Sequence, residues 1–146
     1  MTIRPYAKKD YKATLGFIAA LQEFERELGV DRKPGAAMSK LYLSYLQKEV
    51  KKKNGVILVA EEGGRPAGFG AVWIEHDDEA DAIMRGESTY AYIADVYVDE
   101  NARQKGTGRK LLAALEREAK KRGAKEVHMH MLAHNVVMRL VASKAG

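Results

Sequence analysis

The stretch that most constrains this chain is Val96-Tyr97-Val98-Asp99-Glu100-Asn101-Ala102-Arg103-Gln104-Lys105-Gly106-Thr107-Gly108-Arg109-Lys110-Leu111-Leu112. β-branched and aromatic residues crowd positions 89–98, which suits a pleated and largely buried strand. Beyond Gly106 the apolar residues Leu111, Leu112, Leu115 and Ala119 return at helical spacing. A strand therefore runs through a short loop with two glycines into a helix that opens on Gly-Thr-Gly. The first amide hydrogens of such a helix lack intrahelical partners, and its positive dipole end is free. Without Cβ atoms at Gly106 and Gly108, an anion can approach those amides closely. Arg103, Lys105, Arg109 and Lys110 surround them with positive charge.

The spacing narrows what the anion is. No Lys-Ser/Thr follows Gly108, so this is not the nucleotide-binding phosphate loop. No third glycine or acidic ribose ligand stands where a dinucleotide fold needs one. Instead, Arg103-Gln104-Lys105-Gly106-Thr107-Gly108 resembles the R/Q-x-x-G-x-G/A signature of the Gcn5-related N-acetyltransferase (GNAT) superfamily. Ile93-Ala94-Asp95-Val96-Tyr97-Val98 is similar to the family's fourth strand, and Asn135 falls where its N-x-x-A-x-x-L-Y segment begins. The opening Thr2-Ile3-Arg4-Pro5-Tyr6 followed by a helix is also a common family start.

This resemblance implies an α/β fold: a mixed, mostly antiparallel sheet with helices on both faces, in one domain over residues 1–146. It implies acetyl-coenzyme A as cofactor, its pyrophosphate on the loop from Arg103, Gln104, Lys105, Gly106, Thr107 and Gly108 to Arg109. Main chain at Val96, Tyr97 and Val98 would pair with the pantetheine arm where the fourth and fifth strands splay. Asn135 would complete the cofactor site. Polarising the thioester carbonyl then falls to main-chain groups, as in any oxyanion hole.

Two family side chains are missing. Many members carry a Glu base where this chain has Ala94, and a Tyr proton donor where it has Ala142. Asp95 is the first candidate base, with Tyr92 beside it. Tyr97, Glu75, His76 and Ser143 are further candidates. The resemblance thus implies an N-acetyltransferase acting on a primary amine by direct transfer. The alternatives are a catalytically weak acyl-CoA-binding or regulatory module, and an acetyltransferase of protein lysines or N-termini.

Charge refines the acceptor. The net charge is +5, but residues 101–126 alone hold nine Lys/Arg against three Glu. No aromatic residue lies among them, so the stacking surface of single-strand nucleic-acid binders is missing. A phosphorylated cofactor suits that patch better than nucleic acid. From Glu75 to Glu87 there are six acids against one Arg. That stretch reads as a solvated surface loop, or as a docking surface for a cationic small-molecule amine.

Metal chemistry has little to stand on. Cysteine is absent, which removes thiolate sites and disulfides. His128, His130 and His134 cluster near a strand but lack a carboxylate or fourth ligand at a recognisable interval, so no metal is expected. No apolar run approaches the roughly 20 residues of a membrane span, and Met1 opens no signal pattern. A cytoplasmic location is the default.

The remaining elements follow from pattern. The reading is a strand at 2–6, then a helix capped by Asp10 and running to about Leu28, with Leu15, Ile18, Ala19, Phe24 and Leu28 inward. A break at Lys33-Pro34-Gly35 precedes a helix from about Ala36 to Asn54, its apolar side Met38, Leu41, Tyr42, Tyr45, Leu46 and Val50. Gly55 would end that helix, and Lys48, Lys51, Lys52 and Lys53 would complement its dipole. A hairpin of Val56–Glu62 and Ala67–Glu75 follows, then the strand at 89–98, the helix at 106–122, a strand at 125–132 and a short helix from Asn135. The family usually continues past the position of Gly146 with Phe and two more strands. Without them the strand at 125–132 has an open edge, a liability that a second copy could cover, and a homodimer is the expectation.

Overall fold

The structure is a computed structural model, and it describes residues 1–27, 29, 34–86 and 89–129. Strand β1 (Thr2–Pro5) leads through a single 3₁₀ turn into α1 (Tyr11–Glu27) and α2 (Gly35–Lys52). Strands β2 (Val56–Glu62) and β3 (Arg65–His76) form the hairpin, with Gly63 and Gly64 both at positive φ in its turn. Then come α3 (Glu79–Arg85), β4 (Thr89–Val98), α4 (Thr107–Lys121) and β5 (Val127–Met129). The five strands lie in sequence order in one sheet. Neighbours from β1 to β4 are antiparallel, and β5 joins β4 in parallel. The expected mixed, mostly antiparallel sheet is what the chain forms.

Strand alternation divides the core in two. On one face Phe17, Ile18, Leu43 and Leu46 pack over Ile57, Val59, Phe69, Ala71, Trp73 and Tyr97. On the other, Leu111, Leu112, Leu115 and Ala119 of α4 cover Leu58, Val72, Ala91, Ile93 and Val96. So α1 and α2 take one side of the sheet and α4 takes the other.

Several local expectations are corrected. Asp10 does not cap α1. Its carboxylate reaches back to the Ala7 amide at 2.8 Å and to Arg4, whose guanidinium holds it well below the ordinary carboxylate range. An arginine offering two donors outcompetes a helix amide for a buried carboxylate. In α1, Phe17 is buried where Phe24 is only half-buried. In α2 the inward stripe is Ser39, Leu43 and Leu46, while Leu41 and Tyr45 are exposed. The stretch from Glu79 is a helix rather than a loop: Asp78 accepts from the Asp81 amide, Gly86 closes the C-terminus at φ +71°, and Arg85 pairs with Asp77 and Glu126. Lys53 does more than complement a dipole, because it pairs with Glu49 and Glu75 at 2.8 and 2.7 Å.

Gly55 has a different role from the one expected. The residue at positive φ after α2 is Asn54, not Gly55. What demands glycine is packing, since a Cβ there would stand 2.3 Å from Val72 O and 2.7 Å from Trp73 Cβ. Gly16, on the exposed side of α1, has open space around the same position. Gly55→Ala should therefore lose about 1–3 kcal/mol of stability through overpacking. Gly16→Ala should gain roughly 0.5–1 kcal/mol through helix propensity. Urea denaturation of the two variants checks both signs.

Candidate active site

The site is built around an irregularity in β4. Asp95 pairs with Ala71 and Ile93 pairs with Val72, so Ala94 is left without a partner on β3. An extra residue in one strand reverses its side-chain parity from that point on. Ile93 faces α4, yet so does Val96, three residues on. Ala94 therefore packs toward α1 and α2 with Tyr92 and Tyr97, and Asp95 joins it there instead of pointing at α4. Tyr42 of α2 meets Asp95 on that side, its hydroxyl donating to Oδ2 at 2.6 Å.

The same shift reorients the main chain. Ala91 N–H donates to Glu126 O toward β5, while Asp99 N–H donates to Ala67 O toward β3. With parity reset between them, Val96 and Val98 turn their peptide groups away from β3, toward the side that β5 occupies. The described pairing of β4 with β5 covers only Ala91, Tyr92 and Ile93.

Burial drives the Asp95 carboxyl up to about 7, and the Tyr42 hydrogen bond limits the rise. The Tyr42 phenol is pushed well above its ordinary value by burial and by that carboxylate. Around them runs a row of rings. Tyr42 stacks on Tyr45 at 5.7 Å, Tyr45 meets the edge of Trp73 at 6.3 Å, and Trp73 contacts Tyr92 at 5.6 Å. Glu75 closes the row. Burial would raise it, but Lys53 and the Trp73 Nε1–H, both on its Oε1, hold it below the ordinary value.

At the other end of β4 the loop folds back on the strand. Arg103 Nε donates to Val98 O at 2.9 Å, and its guanidinium lies 5.5 Å from the centre of the Tyr97 ring. Gln104 and Gly106 both take left-handed backbone, at φ +65° and +82°. Gly106 thereby caps α4 and leaves the space beside it open, with nothing within 4 Å of where a Cβ would stand. Lys110 N–H is the first in the helix to find a backbone acceptor, Gly106 O at 3.1 Å. Thr107, Gly108 and Arg109 precede it with their amides directed out of the helix end. Thr107 is itself buried, while Lys105, Arg109 and Lys110 are exposed around the opening.

A profile of the Acetyltransferase (GNAT) family matches residues 13–146. The chain belongs to the GNAT acetyltransferase family. Solved structures share the fold. A GCN5-related N-acetyltransferase from Ralstonia eutropha is 25% identical, with a TM-score of 0.73, covering 99% of this chain and 91% of that one. An aminoglycoside antibiotic 6'-N-acetyltransferase from Acinetobacter haemolyticus is 16% identical, with a TM-score of 0.71, covering 100% and 90%. A transcriptional regulator from Bacillus halodurans is 20% identical, with a TM-score of 0.75, covering 99% and 91%. No curated protein matches the chain.

Within this GNAT fold the residues singled out by sequence fall into two groups. Asp95 and Tyr92 share the α1/α2 face, whereas Gly106, Thr107, Gly108 and Arg109 form the open start of α4 at the far end of β4. Arg103 braces the loop on the strand, and Lys105 stands 3.7 Å from Glu62. His76 is exposed at the end of β3. His128 lies beside Glu126 at 3.1 Å and stacks on Tyr90 at 4.1 Å. Asn135, Ala142, Ser143, His130 and His134 lie outside the described residues. Tyr42 was read only as part of an apolar helix face. It stands 53 residues from Asp95 in sequence, and no local pattern signals the pairing.

A carboxyl whose native value is raised binds its proton more tightly when folded. It supports the fold below the ordinary carboxylate range and loses that contribution as pH rises to about 7. Asp95→Asn keeps an acceptor for Tyr42 without the charge. Its melting temperature should exceed that of the parent at pH 8 and differ little from it at pH 4, as thermal melts at both pH values would show.

Proposed function

We propose that this GNAT protein is an acetyl-CoA-dependent N-acetyltransferase that acetylates the primary amine of a small cationic molecule by direct transfer, with Asp95 as general base. The observation that carries this reading is the bulge at Ala94. It turns Asp95 to the face where family members present a Glu from the preceding position, so the carboxylate replaces a base that Ala94 cannot supply.

The cradle residues fit the proposed cofactor. Left-handed Gly106 leaves room for a diphosphate against the amides of Thr107, Gly108 and Arg109. Lys105, Arg109 and Lys110 add charge neutralisation. When bound, acetyl-CoA supplies an activated acyl group on a thiol leaving group. The main chain of Val96 and Val98, turned from β3, is positioned to polarise a carbonyl on that side of β4.

An alkyl amine has a pKa near 10, so about one molecule in a thousand is neutral at pH 7. Asp95 would take the ammonium proton and free the nitrogen lone pair. As that nitrogen bonds to the acyl carbon and the carbon–sulfur bond breaks, the second proton it sheds would go to the departing thiolate through water. A base that titrates near the working pH combines availability with driving force, and is worth roughly 10²–10⁴-fold. For the cationic acceptor, support comes from the ring row beside Asp95, since aromatic faces and carboxylates both attract ammonium groups. Support also comes from the structural neighbour named as an aminoglycoside acetyltransferase.

Thiol release from acetyl-CoA would be followed with spermidine, kanamycin and a lysine-containing peptide as acceptors. A small polycation should be the amine that turns over. Asp95→Asn should lower its kcat/KM by about 10²–10⁴-fold at pH 8 and abolish the limb near pH 7, leaving only the ionisation of the amine itself. Saturable acetyl-CoA binding with no turnover on any acceptor would favour the acyl-CoA-binding module, a reading that Ala142 in place of a proton donor supports.

A second test addresses the cradle. Gly106→Ala and Gly106→Glu share the strain of a side chain at positive φ, but only the latter adds a negative charge. Calorimetry should find acetyl-CoA bound at least about tenfold more weakly by Gly106→Glu than by Gly106→Ala. Equal affinities would place the diphosphate elsewhere.

A further inference from the structure

We propose that Tyr42 of α2 is the positioning residue of this site: its hydroxyl fixes the Asp95 carboxylate on the β4 bulge by one oxygen and leaves the other for the incoming amine. The inference rests on the assignment of Asp95 as general base. It adds a residue from the first third of the chain, remote from the cofactor loop and the signature strand.

Three observations carry it. The hydrogen bond is short, 2.6 Å from Tyr42 Oη to Asp95 Oδ2, and among the described residues no other side chain donates to that carboxylate. The phenol ring is partly buried against the α1/α2 core cluster. Its ring stacks on Tyr45, Tyr45 abuts Trp73, and Trp73 is buried against Tyr92 of β4 itself. The position of the hydroxyl is thus referenced through packed rings to the same strand that carries the bulge. Finally, the Tyr42 bond engages Oδ2, so holding the carboxylate and receiving a proton can fall to different oxygens.

The bond also biases protonation. A phenol donating to a carboxylate favours the ionised form, against the burial that favours the neutral one. The other ionisable groups facing this point are Glu25 of α1, whose like charge disfavours ionisation, Tyr45 of α2 and Tyr92 of β4. Glu75 of β3 acts on Tyr45 and Tyr92, and Lys53 acts on Tyr45. Tyr42 is the one among these that stabilises the Asp95 charge through a hydrogen bond.

The test is Tyr42→Phe, which keeps the ring in its stack and removes only the hydroxyl. The carboxyl carbon of Asp95, assigned by its loss in Asp95→Asn, is titrated by NMR without substrate. Its midpoint should rise in Tyr42→Phe by about one pH unit, the size of one hydrogen bond to a charged group. The acid limb of kcat/KM, measured with the amine that turns over in the acceptor panel, should move by the same amount. The loss should be about tenfold at pH 6.5 and largely recovered by pH 9. In an Asp95→Asn background, Tyr42→Phe should change kcat/KM less than twofold, whereas a merely structural tyrosine would lower it in both backgrounds. An unmoved NMR midpoint overturns the proposal, and so does an equal loss in both backgrounds. A midpoint that moves while the rate limb stays still removes Asp95 as the base, overturning the proposal through its premise while leaving the Tyr42–Asp95 bond intact.

Discussion

One unpaired residue, Ala94, governs the site. Up to Ile93, β4 alternates in step with β3, and after Ala94 it alternates in the opposite sense. Had the strand remained regular, Asp95 would have faced Leu115 and the core of α4, where a carboxylate has no donor to meet. The peptide groups of Val96 and Val98 would also have been spent on β3. The bulge changes both at once, turning the side chain toward α1 and α2 and the main chain toward the side that β5 occupies. A β-bulge beside a site is a device for aiming groups, and here it aims two kinds.

The two halves of the site differ in electrostatic character because different elements build them. One end is made by a helix terminus, exposed lysines and arginines, and two left-handed residues that open the loop. The other is made by rings and carboxylates on α2, β3 and β4. Such separation lets an anion and a cation approach the two ends of one strand without competing for the same groups. Arg103 is the exception in the basic loop. Its guanidinium is committed to Val98 O and the Tyr97 ring, and it fastens the loop to the strand that carries Asp95.

A cost comes with this arrangement. Burial raises the Asp95 carboxyl to about 7, so above that pH the fold bears a charge in a poor environment. Opposition between stability and function is expected where a site needs a strained or desolvated group. The surrounding structure compensates with packing that tolerates no extra atom. Gly55 lies against Val72 and Trp73, and Gly35 lies against Ala19, each where a Cβ would overlap backbone.

The strand–loop–helix and the order of the described elements other than α3 were legible in the sequence. Each rests on local rules: side-chain period, glycine where an amide must be approached, and positive charge at a helix start. Asp95 could be named as a candidate for the same reason, since it neighbours the position the family uses. Its orientation could not, because a bulge depends on how β3 and β4 register against each other. The reading of α2 slipped for a related cause. Leu41, Tyr42 and Tyr45 look like an apolar face, but α2 turns Leu43 and Leu46 to the sheet and leaves Leu41 and Tyr45 outside. The acidic stretch after Glu75 resembled a loop by charge alone, and its helix is set by the caps at Asp78 and Gly86 and by Arg85 reaching Glu126. By itself the sequence determined the fold class and the glycine-rich strand–loop–helix, where spacing along one segment sets the backbone. Only the tertiary structure decided the Tyr42–Asp95 pair, because the two meet across 53 residues through a parity change that neither segment records alone.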